Sequence, residues 1–102
     1  MPMPAMQHVV LIRLPERPGE ADQAELARLV DALPASIPGI RRLHWGWDVS
    51  GRSRGYQLGL VMEFESAEAL AAYLPHPVHQ RVVAWLNAHQ GEILAFDFPL
   101  PG

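Results

Sequence analysis

No cysteine occurs anywhere in this chain. That excludes a disulfide framework, a thiolate metal site and a thiol nucleophile, and makes the cytoplasm the expected location. Basic residues are scarce too: eight Lys plus Arg against eleven Asp plus Glu give a net charge of -3. Such a balance supplies no basic stripe of the kind a phosphate backbone requires, so nucleic acid is not an expected partner. No run approaches the ~18 apolar residues of a membrane span. Met1 to Met6 (MPMPAM) lacks both the charged start and the long apolar centre of an export signal. Repeats, low-complexity tracts and internal linkers are missing as well. What is present is 102 residues with 49% hydrophobic content, enough for one small domain that buries roughly 60 to 65% of its unfolded surface. The expected division is a frayed tail over 1–6, a single domain over 7–99 and a short tail over 100–102.

Gln7 to Leu14 (QHVVLIRL) is short, β-branched and closed by Pro15, and reads as a strand with Val10, Ile12 and Leu14 on one face and Val9 and Leu11 on the other. Leu26, Leu29, Val30 and Leu33 recur at helical spacing until Pro34 and Pro38-Gly39 stop the element. Ile40 to Val49 alternates, with Leu43, Trp45, Trp47 and Val49 on one side, and Tyr56 to Phe64 alternates again after the polar turn Ser50 to Gly55. The two form a predicted hairpin. Ser66 is a helix cap, with Leu70, Tyr73 and Leu74 as the apolar side of its helix. Val78, Val82, Trp85, Leu86 and His89 mark a further helix ending near Gly91, and Ile93 to Phe98 is a last strand.

This βαββααβ order predicts an α+β, ferredoxin-like fold: a four-stranded antiparallel sheet with helices on one face. The last strand then lies beside the first, bringing Asp97 close to His8. Helices cover one face only, while the first and third strands are apolar on both, so the other face would expose a large apolar patch. A second copy of the chain is the simplest cover. The expected assembly is a homodimer whose sheets pack face to face, a dimeric α/β barrel.

The stretch Tyr73 to Gln80 (YLPHPVHQ) carries most of the chemistry. Pro75 cannot continue a helix, and Pro77 suits the first position of the next. His76 is then the N-cap and His79 falls in the first turn, where the helix dipole disfavours a protonated imidazole. On a helical wheel His79 lies near Val82, Val83 and Leu86, and burial there also favours the neutral base. A neutral His79 can take a proton alpha to a carbonyl while the Tyr73 hydroxyl hydrogen-bonds the enolate oxygen, as an aldol-type cyclisation, lyase or isomerase step requires.

Gln7-His8-Val9-Val10-Leu11, Ile37-Pro38-Gly39-Ile40, Trp45-Gly46, Gly55-Tyr56, Phe64-Glu65-Ser66, Ala69 to Leu74, His76-Pro77-Val78-His79 and Phe96-Asp97-Phe98 resemble the stress-responsive A/B barrel domain family over nearly the whole chain, from about Met6 to Phe98. The resemblance implies a dimeric α+β barrel in a family most of whose members have no assigned activity. It also includes a plant polyketide cyclase. That enzyme's catalytic tyrosine and histidine fall on Tyr73 and His79, its first-strand histidine on His8 and its last-strand aspartate on Asp97. One of its pocket histidines is replaced by Leu58, so the catalytic pair matches and the pocket differs.

Each of these residues also has a plainer reading. His76 can be a cap with its ring in solvent, His79 a core-edge histidine bonded to a carbonyl, and Tyr73 a packing residue whose hydroxyl reaches the edge. His8 and Asp97 can be a structural hydrogen bond between neighbouring strands. The pair His76 and His79 lacks a carboxylate at ligand spacing, so no metal and no cofactor is expected. Three function classes follow. One is a pocket protein or scaffold that binds a small apolar carbonyl-containing ligand, with His8, His76, Asp97, Leu58 and Val82 supporting Tyr73 and His79. Another is a cofactor-independent cyclase or lyase using the same pair. The third, an oxygenase of the wider dimeric barrel type, finds no cofactor motif in this chain.

Overall fold

The computed structural model describes residues 4–101. Strand β1 (Met6–Arg13) is followed by helix α1 (Glu20–Asp31), the short helix α2 (Leu33–Ser36), the hairpin β2 (Ile40–Trp47) and β3 (Tyr56–Phe64), helices α3 (Ala67–Tyr73) and α4 (Pro77–Ala88), and β4 (Glu92–Pro99). The sheet order is β2-β3-β1-β4, antiparallel throughout. This is the expected ferredoxin-like sheet with its helices on one side.

Residues 1–3 and 102 of the expected tails lie outside the described residues. Met6, assigned to the tail from sequence, already pairs with Phe64 and Pro99, and the Leu100 amide donates to the Ala5 carbonyl at 2.8 Å. Two further details differ from expectation. Leu33 does not end α1: the helix closes at Ala32, and Pro34 sits in the first turn of α2, where its missing amide costs nothing. Val49 is 99% exposed, outside β2. The chain leaves the strand at Asp48, whose carboxylate accepts from the Ser50 hydroxyl and the Gly51 amide and closes the turn.

Alternation in β1 and β3 sends His8, Ile12, Leu58, Leu60, Met62 and Phe64 beneath the helices, where they meet Leu26, Val30 and Leu33 in one core. Trp45 and Trp47 are half-buried against that core, and the Trp45 indole donates to Asp31 at 2.9 Å. Gly39, at φ +94°, lets the turn before β2 press on α3: a Cβ there would stand 2.7 Å from the Ala69 Cβ. The Gly39 carbonyl accepts from the Glu65 amide at 2.9 Å, tying that turn to the end of β3. The helices cover β2, β3 and β1 but stop short of β4, every residue of which is exposed. Both faces of β4 are therefore free at one flank of the sheet, and the cavity described next opens there.

Candidate functional site

The break between α3 and α4 builds the site. Ser66 caps α3 through its hydroxyl, which accepts from the Ala69 amide at 3.1 Å. Pro75 then ends the helical run, as its ring dictates. His76 caps α4: its Nδ1 accepts from the Val78 amide at 3.1 Å, with Pro77 in the first turn. Because the helix stops, the Leu74 carbonyl has no helical amide to receive. It accepts instead from His79 Nδ1–H and from the Gln80 side-chain amide, both at 2.8 Å. That bond fixes the tautomer of His79 and leaves its Nε2 as an acceptor.

Tyr73 sits on the last turn of α3 and is 3% exposed. Its ring stacks at a tilt on His79, with centroids 4.1 Å apart, and meets Phe64 at 4.9 Å and His8 at 6.0 Å. His8, 5% exposed, faces Asp97 across the β1–β4 ladder, and its Nδ1–H donates to the Asp97 carboxylate. The strand register alone accounts for this meeting. The result is a row running Asp97, His8, Tyr73, His79 from the edge strand to the start of α4.

This row forms the polar end of a cavity of about 140 Å³ between the sheet and α4, whose apolar walls include Val10, Leu60, Val82, Leu86 and Ile93. Burial pushes the Tyr73 phenol well above its ordinary value, so it stays a neutral donor. Burial likewise lowers the His79 imidazole, outweighing the Leu74 carbonyl bond, with smaller contributions from His8 and His76. A neutral base thus stands beside a neutral donor.

Of the residues singled out from sequence, His8, Tyr73, His79 and Val82 line this cavity and Asp97 reaches it through His8. Two do not. His76 is spent on capping, and Leu58 belongs to the core and to a separate depression beside Trp47 and Tyr56. Leu60, two residues further along the same face, is the wall residue, because α4 crosses the sheet at that level. Leu60, Ile93 and Ala95 went unnoticed in the sequence, although alternation from His8 and Asp97 places Val10 and Ala95 on the cavity face. Among the described residues no group of three or more His, Asp or Glu side chains is gathered as a metal would need. No described helix is long and apolar enough to cross a membrane.

Fold and cavity together define a ferredoxin-like α+β domain with a small His/Tyr pocket between sheet and helices. The chain belongs to the stress responsive A/B barrel domain family, whose pattern matches residues 6–100. It is 26% identical to olivetolic acid cyclase of Cannabis sativa over 96 residues, covering 92% of this chain and 95% of the cyclase. An uncharacterised protein of Streptomyces coelicolor is 32% identical over 96 residues, covering 91% and 99%. Among solved structures, a dimeric ferredoxin-like protein of unknown function from Jannaschia sp. superposes with a TM-score of 0.78 at 27% identity, over 94% of this chain and 99% of that one.

Proposed function

We propose that the chain works as a homodimer that binds a small, largely apolar, carbonyl-containing molecule in the cavity of His8, Tyr73 and His79. The observation that carries this is the meeting of the His79 imidazole, its Nδ1–H committed to the Leu74 carbonyl, with the Tyr73 ring at 4.1 Å at the polar end of an otherwise apolar cavity. Titratable side chains gathered with a phenol at the wall of an apolar cavity are the usual mark of a ligand site. The cavity's size sets the ligand's: about 140 Å³ is close to the ~150 Å³ that accommodates a single benzene ring.

The dimer is supported by the open face of the sheet, where Leu11, Val61, Leu94, Phe96 and Phe98 stand exposed together. The described chain presents 6494 Å² of surface, against about 5700 Å² for a monomer of this mass.

Geometry and the likeness to olivetolic acid cyclase favour a catalytic version of the same reading. His79 Nε2 takes a proton from the carbon alpha to a carbonyl, the C–H electron pair becomes the enolate C=C bond while the C=O π pair moves onto oxygen, and the Tyr73 hydroxyl donates to that oxygen. The enolate carbon then bonds a second carbonyl carbon in the same ligand, and the proton on His79 returns to the new alkoxide. Atoms and charge balance with no cofactor.

The test is a thermal-shift screen of one-ring aromatic carbonyl compounds on wild type and on His79→Ala. A ligand at 100 times its dissociation constant adds about 2.7 kcal/mol, which raises the midpoint of so small a domain by several degrees. A shift confined to the wild type is the expected result. Equal shifts in both proteins would move the ligand elsewhere, and no shift in either would leave the histidines to the fold.

A further inference from the structure

The cavity has no compensating cation in its lining. Its lining contains no arginine, and the chain has no lysine at all. The charge that adjoins the lining through His8 is negative, the Asp97 carboxylate, so a protonated His8 would only bring that pair to neutrality. Burial disfavours the charged form of His79.

A helix start is often an anion site because its first amides point outward unpaired. Here they are largely used up. Pro77 has no amide hydrogen, the Val78 amide is taken by His76 Nδ1, and the Gln80 amide donates to the His76 carbonyl at 2.9 Å, which leaves the His79 amide as the one first-turn donor without an acceptor. His76, outside the cavity, thereby removes a donor an anion would use. Moving a carboxylate from water into such a site without a partner charge is unfavourable.

We infer that this cavity selects uncharged ligands of about one ring, which present a carbonyl acceptor to the Tyr73 hydroxyl and an acidic proton to His79 Nε2, and that it rejects carboxylates of the same shape. The inference rests on reading the cavity as a ligand site, and it narrows the substrate class to neutral ketones, aldehydes and esters. A carboxylate formed or carried by the ligand must lie outside the cavity, towards β4 and solvent.

Acetophenone and benzoate make the test, since they share ring and carbonyl and differ in a methyl group against a charged oxygen. Their affinities for the full wild-type chain are compared by ligand-detected NMR at about pH 7.5, where benzoate is ionised. Acetophenone should bind at least tenfold more tightly than benzoate, and Tyr73→Phe should abolish most of its advantage over ethylbenzene, which has no carbonyl. Benzoate binding as tightly as acetophenone, and in competition with it, would overturn the charge selection while leaving the cavity a ligand site. Failure of both compounds to bind would overturn the ligand-site reading, and the selection with it.

Discussion

Strands β3 and β4 flank the same neighbour, β1, yet live in opposite environments. On β3 the residues Leu58, Leu60, Met62 and Phe64 are buried beneath the helices, whereas β4 is exposed along its whole length and Phe96 is 65% exposed. Three helices of useful length span only about three strands, so one flank is left over. The buried flank holds the fold. The uncovered flank leaves room for a cavity on one face, bounded by Ile93 and Ala95, and an exposed apolar surface of Leu94, Phe96 and Phe98 on the other.

The contrast is broken most forcefully at Phe64. Phe64→Ala empties a fully buried position and should cost about 3–5 kcal/mol, read by urea denaturation; Ile93→Ala on the other flank, half exposed at the cavity mouth, should cost about 1 kcal/mol or less. Comparable losses would mean that β4 is covered in solution by something more than the chain itself. Next in size is Phe96→Asp. It puts a charge in the middle of the open face, and light scattering should show the mass falling from a dimer to a single chain of 11.3 kDa, with secondary structure kept by circular dichroism. A variant that stays dimeric would place the interface on another surface.

The smallest effect is in the pH dependence of stability. The folded-state pKa of His79 lies below its ordinary 6.5, so as the pH falls below that value the unfolded chain takes up a proton that the folded chain resists. Stability from this group is complete above 6.5 and is lost as pH falls from there through the lower folded value. Between about pH 8 and about pH 5.5 the wild type should therefore lose more of its thermal midpoint than His79→Gln does. An equal loss would mean that the His79 imidazole is freely hydrated.

How much of this was legible from the sequence depends on how local the signal is. The α3–α4 break, the His76 cap and the first-turn place of His79 follow from two prolines and a histidine within a few residues. The meeting of His8 and Asp97 is long-range: the order of elements brought their strands together, but the register that sets one directly across from the other is visible only in the fold. Val49 was misplaced because alternation runs on through Trp47, while the turn is made by Asp48 bonding forward to Ser50 and Gly51. The cavity wall is the clearest limit. Leu58 and Leu60 share a face and a residue type, and only the height at which α4 crosses the sheet puts one in the core and the other at the cavity. That height is set by packing across elements, which no window of sequence contains. The redirection of the Leu74 carbonyl to His79 is similar: Pro75 announces the break, but not which donors will fill it.

The most direct test of the account watches the imidazoles themselves. In proton–carbon NMR spectra of the wild-type chain, titrated with acetophenone, the signals of His79 and His8 should move along the binding curve, while those of His44, exposed on β2, and His89, stacked on Trp85 at the far end of α4, stay in place. Movement of His44 or His89 alone, or saturation with no change at His79, would contradict the claim that Tyr73 and His79 form the ligand site.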